Sequence, residues 1–379
     1  MKAKRLGRSA VEVTELGFGG GPLGGLFAPL ADDAAAEALA AAWEGGIRYF
    51  DTSPHYGIGH SERRIGEFLR QVPREQYVLS TKVGRLLLPQ DPAGRMDEFF
   101  HVPATHRRVW DFSRDGIRRS VEDSLTRLGV DRFDVLFLHD AEEHFEAAFR
   151  DGYPALAELR AEGVVGAIGA GMYDTGMLTR LVRETDIDVV MLSGYYTLLH
   201  QSALDELLPA CAERGISILA ASIFNSGVLA TPRPGPDARF EYRPASAEVL
   251  ERAHRIADVC EDHGVTLPEA AMAFPCDTRR SPASWSACAQ PRRYAATWPR
   301  PPVRRRNGCG ATSWRPGSST SGHRRRPRNS RRPTRSHLTG RGRGAGRRPV
   351  SVMRLSVDAG PRRPGRGGVR RCPAGRSSR

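Results

Sequence analysis

The sequence predicts an α/β fold built on a parallel β-sheet, and two observations support this prediction. Short apolar runs rich in β-branched and aromatic residues alternate with longer segments whose apolar residues recur at helical spacing. Several of the helical segments end in glycine, the usual residue just past a helix C-terminus. Strands and helices that alternate in this way are typical of βαβ units, whose helices cover both faces of the sheet. An open doubly wound sheet and a (β/α)₈ barrel both fit this pattern.

Seven strands are expected within the first 275 residues, at 15–19, 47–51, 77–82, 134–139, 164–170, 188–192 and 216–222. Helical spacing is found at 34–46, 61–71, 115–129, 153–163, 175–184, 202–215 and 267–275. No apolar run approaches the roughly 18 residues of a membrane span, and the basic N-terminus is not followed by the apolar segment of a secretory signal. We therefore expect a cytoplasmic protein with no membrane partner.

The net charge of +14 combines two regions of opposite sign. Residues 1–275 contain 29 basic and 41 acidic residues, whereas residues 276–379 contain 28 arginines, no lysine and two acidic residues. The second region has no apolar run long enough for a buried strand, and its Arg, Pro, Gly, Ser, Trp and Cys are what GC-rich codons give when read out of frame. We therefore predict a body over 1–275 and a disordered basic low-complexity tail over 276–379, produced by a frameshift.

An arginine-rich tail can also contact phosphate groups electrostatically. This tail lacks lysine, regularly interleaved aromatic residues and any nucleic-acid fold motif, so we expect at most non-specific binding of nucleic acid. Within the body only Cys211 and Cys260 occur, and neither stands in a metal-type pair. We therefore expect neither a disulfide framework nor a metal site.

A glycine cluster follows the first predicted strand, between Gly17 and Gly25. Its spacing does not match the dinucleotide fingerprint, whose glycines open directly into a helix, and Pro22 removes one of the backbone donors that a phosphate would use. We expect this segment to be a flexible loop that lines a site.

Four polar residues stand at or just after the ends of successive predicted strands, where catalytic groups of α/β barrels collect. They are Asp51, Tyr56, Lys82 and His139, and Lys82 is the only lysine beyond position 4. An adjacent ammonium favours phenolate, so we expect Lys82 to lower the pKa of Tyr56. Asp51 would hold Lys82, and His139 would orient a substrate oxygen. This set predicts a proton-transfer site for a carbonyl or an alcohol.

A series of linked motifs extends over about residues 4–274. In order they are LGFGGGPLGG, YFDTSPHYGIGHSERRIGEFL, LSTKVGR, DSLTRLGVDRFDVLFLHD, GAIGAGM, YYTLLHQSALDELLP and FNSGVLA. With these motifs the sequence resembles the aldo-keto reductases, and within that family the sugar-dehydrogenase branch that includes L-fucose and D-threo-aldose 1-dehydrogenases and pyridoxal 4-dehydrogenases.

The resemblance implies a (β/α)₈ barrel that binds NADP or NAD across its C-terminal mouth, with hydride passing directly between nicotinamide and substrate. The family's catalytic tetrad falls on Asp51, Tyr56, Lys82 and His139, with Tyr56 as acid in reduction and base in oxidation. The implied cofactor-binding residues are Ser193, Tyr196, Ser222, Phe224, Asn225, Ser226 and Gly227. The loop after the fifth strand departs from the family pattern, because it offers Tyr173 and Asp174 where an Asn usually holds the carboxamide.

A long loop is expected from Leu86 to Phe112, and long loops in compact domains are usually lids or substrate walls. We take His55, Trp110 and Phe112 as candidates for the substrate pocket, although a solvated, variable insertion fits this loop equally well.

The resemblance stops before the eighth β/α unit of the barrel. The absence of this eighth unit would leave open edges on the first and seventh strands and would remove much of the adenosine-phosphate site. We expect an NAD(P)-dependent oxidoreductase for a small carbonyl or aldose that binds its cofactor weakly and has reduced or no activity. The alternative is a nicotinamide-binding regulatory module without turnover, as the potassium-channel β-subunits are in this family.

Overall fold

Seven parallel strands form most of a barrel in a computed structural model, which describes residues 1–276 and the backbone of residues 352–356. The strands are, in order, Leu16–Gly19, Tyr49–Asp51, Val78–Val83, Val135–His139, Ala167–Met172, Val189–Ser193 and Ser217–Ala221. Each strand pairs in parallel with the strand that follows it in the chain. This order confirms the predicted barrel and excludes the open doubly wound sheet, in which the strand order reverses.

The gap between the first and seventh strands is closed by a strand at Val352–Ser356. This strand is antiparallel to both neighbours, pairing Val352 with Phe18 and Ser356 with Ile218. The eighth parallel strand is absent from the described residues, as predicted, but the expectation of two open edges is wrong. An unpaired strand edge accepts any extended segment, because its free N–H and C=O groups do not depend on sequence. The rest of the predicted tail, beyond Cys276, lies outside the described residues.

Helices connect the barrel strands and cover their outer faces. The connecting helices are Asp32–Glu44, His60–Leu69, Arg114–Leu128, Tyr153–Ala161, Thr175–Glu184 and Leu207–Arg214. Ser113 and Asp174 cap two of them by accepting a backbone N–H three residues on, which satisfies donors that a helix start leaves free. Two further helices, Ala247–Asp262 and Leu267–Ala273, follow the seventh strand. Of these two helices, only the second is predicted from the sequence.

The barrel interior is filled by apolar side chains and closed at its N-terminal end by a hairpin. This hairpin pairs Ala3–Arg5 with Glu12–Thr14 and adds Leu6 and Val13 to the interior cluster. The interior residues from the barrel strands are Tyr49, Val135, Phe137, Ala167, Val189, Met191, Leu219 and Ala221. Because this end is plugged, the opposite, C-terminal mouth is left for a functional site.

The segment after the third strand is a β-hairpin and not the loop that we expected. Arg85–Pro89 pairs with His106–Trp110 in antiparallel register, so only the connection between them is irregular. A small buried cluster of Ile58, Leu87, Phe100 and Val102 fixes this hairpin against the turn that follows the second strand. The hairpin is therefore held next to His55 and Tyr56.

Gly66 allows helices His60–Leu69 and Arg114–Leu128 to approach closely, because a Cβ at this position would lie 2.0 Å from the Leu128 carbonyl oxygen. We expect Gly66→Ala to lower the free energy of unfolding by about 1–3 kcal/mol through overpacking. Urea unfolding would measure this loss, with Glu67→Ala at the exposed next position as the matched control. A Gly66→Ala protein as stable as the control would contradict the contact.

None of the helices in the described part of the chain is long and apolar enough to cross a membrane.

Candidate active site

The C-terminal ends of three adjacent strands bring the predicted tetrad together. Asp51 ends the second strand, Lys82 lies near the end of the third, and His139 ends the fourth. The Lys82 ammonium donates to Asp51 Oδ2 at 2.5 Å and to the Thr52 carbonyl oxygen at 3.0 Å. Lys82 Nζ also lies 4.7 Å from the centroid of the Tyr56 ring, and the Tyr56 and His139 rings meet edge to face at 5.8 Å. The four side chains thus form one cluster.

A hydrogen-bonded chain behind the tetrad orients Asp51. Ser80 Oγ donates to Asp51 Oδ1 at 2.7 Å, and the Tyr49 hydroxyl lies 2.9 Å from Ser80 Oγ. Because the Ser80 proton is directed at Asp51, Tyr49 must be the donor to Ser80. Both oxygens of this buried carboxylate therefore have a donor, which fixes the position of the Lys82 ammonium.

Burial controls the protonation of Tyr56. It disfavours the phenolate and raises the pKa of Tyr56 to about 12, although the Lys82 ammonium acts in the opposite direction. Lys82 lowers this pKa, as we expected, but desolvation outweighs the ammonium. Burial disfavours the charged form of Lys82 too, but the Asp51 carboxylate more than compensates and raises the pKa of Lys82. Tyr56 keeps its proton at neutral pH next to a charged lysine.

His139 is a neutral imidazole. Its Nδ1 lies 2.9 Å from Ser53 Oγ, and its Nε2 lies 3.4 Å from Asp140 Oδ2. Burial, together with Arg85 and Lys82, holds the pKa of His139 well below its usual range. An N–H of such an imidazole can donate to a substrate oxygen without carrying charge.

Several residues near the tetrad were missed in the sequence analysis. Arg85 donates to Asp140 Oδ2 at 2.8 Å and lies 4.2 Å above the Trp110 ring. Asp140 has a left-handed backbone, with φ of 36°, an unusual conformation that is often found at functional sites. Arg85 and Asp140 follow Lys82 and His139 closely in the chain, so their positions at strand ends could have predicted that they lie near the tetrad.

The sequence does not predict the positions of Arg108 and Asp97, because these positions depend on the register of the hairpin.

The residues predicted to bind cofactor lie after the sixth and seventh strands. Ser193 Oγ and Ser222 Oγ are 2.9 Å apart. Asn225, Ser226 and Gly227 are consecutive left-handed residues, with φ of 44°, 60° and 108°. The remaining two are Tyr196, a buried ring packed 5.2 Å from Phe274, and Phe224, which precedes the left-handed turn.

Comparison with known proteins decides the family, since residues 15–285 match the model of the aldo/keto reductase family. The chain belongs to the aldo/keto reductase family. It is 50% identical over 272 residues to a D-threo-aldose 1-dehydrogenase of Pseudomonas sp., a match that covers 70% of this chain and 83% of that protein. It is 40% identical over 291 residues to a pyridoxal 4-dehydrogenase of Microbacterium luteolum, with 72% and 84% covered. These matches confirm the resemblance to the sugar-dehydrogenase branch.

A solved aldo-keto reductase has the same fold. The holo form of AKR11C1 from Bacillus halodurans is 25% identical, with a TM-score of 0.56, and the match covers 74% of this chain and 83% of that one. The present protein is accordingly an oxidoreductase that works with a nicotinamide cofactor.

The residues of this aldo-keto reductase that are predicted to bind cofactor fit a nicotinamide cofactor. Asn225 donates through Nδ2 to the Gly194 carbonyl oxygen at 3.0 Å, but its buried Oδ1 has no hydrogen-bond partner in the described structure. A buried acceptor of this kind needs a donor, which a ligand can supply. A Cβ at Gly227 would meet nothing within 4 Å, so the loop has open space beside it. The small hydroxyls of Ser193 and Ser222 suit an anionic group nearby.

The glycine cluster lines the tetrad of the aldo-keto reductase, as expected, but forms a short 3-10 helix over Gly21–Gly24. A Cβ at Gly24 would lie 2.5 Å from the backbone nitrogen of Gly57, and one at Gly21 would lie 4.0 Å from Tyr56 Cζ. These glycines let the loop pack directly against the turn that carries Tyr56.

The three candidate substrate residues lie in different environments. The His55 ring is 5.7 Å from the His139 ring, so it belongs to the cluster. Trp110 is half-buried and contacts Arg85. Phe112 is only 4% exposed and belongs to the main core, where it packs against Gly84. Its ring stacks on Trp110 at 5.7 Å.

The loop after the fifth strand has Tyr173 and Asp174 where the family usually has the Asn that holds the carboxamide. Asp174 Oδ1 accepts the Met177 N–H at the start of a helix, and Tyr173 is 47% exposed. The Asp174 carboxylate therefore serves as a helix cap.

Proposed function

We propose that this aldo-keto reductase transfers a hydride between a nicotinamide and the C1 carbon of an aldose or a related aldehyde. The observation that supports this most is the half-buried Tyr56 phenol between the Lys82–Asp51 ion pair and the neutral His139. The same cluster sits in a chain that is 50% identical to a D-threo-aldose 1-dehydrogenase. Bound NAD(P) supplies the hydride donor or acceptor.

Each residue of the tetrad has a distinct task in this proposal. In reduction Tyr56 donates its proton to the carbonyl oxygen, and in oxidation it removes the hydroxyl proton while Lys82 stabilises the phenolate. His139 donates to the same substrate oxygen and orients it. Asp51 keeps Lys82 charged and in place.

The high pKa of Tyr56 predicts how the rate depends on pH. The base in oxidation is the phenolate, which is a minor form below a pKa of about 12. We expect kcat/KM for aldose oxidation to rise steadily between about pH 7 and about pH 10. A pH series with one aldose would measure this, and a flat profile over that range would contradict Tyr56 as the base.

The residues that would hold the cofactor are Ser193, Tyr196, Ser222, Phe224, Asn225, Ser226 and Gly227. We propose that they bind the nicotinamide and pyrophosphate parts, and that the sequence after Pro275 is a frameshift product that provides no adenosine-phosphate site. The arginine-rich composition after this residue supports the proposal. Sequencing the locus across codon 275 would test it directly, because the shifted frame should continue with the ending of the family.

Loss of that site predicts weak cofactor binding. We expect titrations of NADPH and of NADH, followed by nicotinamide fluorescence, to give dissociation constants well above about 1 μM. The Pseudomonas D-threo-aldose 1-dehydrogenase is the matched control. Micromolar affinity in the present chain would overturn this prediction.

A cytoplasmic location is also proposed. It is supported by Cys260 and Cys276, which form no disulfide within the described part of the chain, as is usual in a reducing compartment.

A further inference from the structure

The hairpin after the third strand holds a buried charge pair close to the tetrad. Arg108 donates to both oxygens of Asp97, at 2.7 and 3.0 Å. Asp97 Oδ1 also accepts the backbone N–H groups of Phe99 and Phe100, at 3.1 and 3.0 Å, and its side chain is only 4% exposed. With four donors on one carboxylate, Asp97 fixes the orientation of the Arg108 guanidinium.

The fixed guanidinium decides the tautomer of His55. Arg108 Nε donates to His55 Nδ1 at 2.6 Å, and Arg108 Nη2 donates to the His55 carbonyl oxygen at 3.2 Å. A guanidinium has only donors, so His55 Nδ1 must be the acceptor. The single proton of the neutral imidazole is therefore on Nε2.

The Nε2–H group of His55 is free to bind a ligand. Within residues 1–276 no protein acceptor takes this proton. The ring lies 5.7 Å from the His139 ring and 6.2 Å from the Tyr56 ring, with Phe99 and Phe100 on its other sides at 5.4 and 5.2 Å. His55 thus presents one polar donor in an otherwise aromatic wall beside the reacting oxygen.

We propose that Asp97 and Arg108 are positioning residues that hold His55 as a neutral Nε2–H donor to the substrate hydroxyl adjacent to the reacting carbon. This inference rests on the proposed function and extends it, because it assigns the recognition of a second sugar oxygen. A site with a fixed donor discriminates against an analogue that lacks the hydroxyl, since the donor is then left unpaired.

The charges around His55 keep it neutral. The groups that face it are Arg108 and Arg85 from the hairpin, Lys82 from the third strand and His139 from the fourth. Burial, together with Arg85, Arg108 and Lys82, lowers the pKa of His55 to about 2. Asp97 does not reverse this effect, because its carboxylate is occupied by Arg108.

Nitrogen-15 NMR of the histidine rings in the full-length protein tests the tautomer without any need for turnover. With His55 assigned through His55→Gln, we expect a neutral, Nε2-protonated ring from about pH 5 to about pH 8. Arg108→Met removes the donor to Nδ1 and should let the neutral ring exchange between its two tautomers, and Arg108→Lys, which keeps a cationic donor, should restore the Nε2–H form. Arg107→Met, at the exposed neighbouring position, should change nothing. A wild-type His55 that titrates like a free histidine, or that carries its proton on Nδ1, would overturn the inference.

A pair of sugars tests the donor role. We expect D-galactose to shift the His55 Nε2–H signal and 2-deoxy-D-galactose to shift it much less. In turnover, kcat/KM for D-galactose should exceed that for the 2-deoxy sugar by about tenfold or more, and His55→Phe should bring the ratio close to one. A ratio that His55→Phe leaves unchanged overturns the inference but leaves the proposed function intact. If no aldose is oxidised, the proposed function fails; the absence of a sugar-induced shift at His55 overturns the donor role independently.

Discussion

Replacing Tyr56 by Phe should reduce turnover about 10²- to 10⁴-fold, the usual contribution of a positioned general acid or base. The substitution removes only the hydroxyl and keeps a ring beside Lys82 and His139. Cofactor affinity should therefore stay within about twofold, because the cofactor-side residues lie on the sixth and seventh strand ends. Steady-state kinetics and fluorescence titration would measure the two quantities on the same preparation.

The matched control is Tyr153→Phe, which removes a hydroxyl from a tyrosine at the start of a connecting helix, where it accepts the Asp186 N–H. It should leave turnover unchanged. Full activity of Tyr56→Phe would remove Tyr56 from the proton-transfer step. A wild-type protein that binds nicotinamide but turns over no carbonyl or aldose would favour a regulatory binding module instead.

Replacing Lys82 by Met should abolish turnover and also destabilise the fold. Lys82 and Asp51 are both about 2% exposed in their side chains and form a direct ion pair. Without the ammonium, the Asp51 carboxylate is buried without a countercharge, which costs about 3–5 kcal/mol. Urea unfolding followed by circular dichroism would measure this loss of stability.

A double variant separates the ion pair from the lysine's other contacts. In Asp51→Asn combined with Lys82→Met no buried charge remains unpaired, so we expect most of the stability to return. Turnover should remain absent, because Tyr56 still lacks its cation. If the double variant is no more stable than Lys82→Met alone, the unpaired carboxylate is not the cause of the loss.

The sequence predicted the features that depend on local pattern. Apolar runs located all seven parallel strands, and polar residues at their ends located Asp51, Lys82 and His139, since parallel strands bring their C-terminal ends to one mouth. Helix Ala247–Asp262 was missed although its apolar positions have helical spacing, so that signal was available.

Other features depend on contacts between distant segments and could not be predicted. The roles of Asp97 and Arg108 follow from the pairing of two strands in what looked like an irregular loop. The pKa of Tyr56 depends on desolvation by segments that are distant in the chain, whereas the sequence indicates only the opposing effect of Lys82. The strand at Val352–Ser356 pairs with the two edges that the seven parallel strands leave, a contact between segments that are distant in the chain.

The direction of this closing strand has a consequence for the active site. A parallel strand runs toward the mouth of the barrel, so the loop that follows an eighth parallel strand would reach the substrate and cofactor. The strand Val352–Ser356 runs the other way, so its last residue lies beside Ile218, near the plugged face where the N-terminal hairpin lies. The sheet regains its backbone hydrogen bonds, but the closing strand ends at the face opposite to the chemistry.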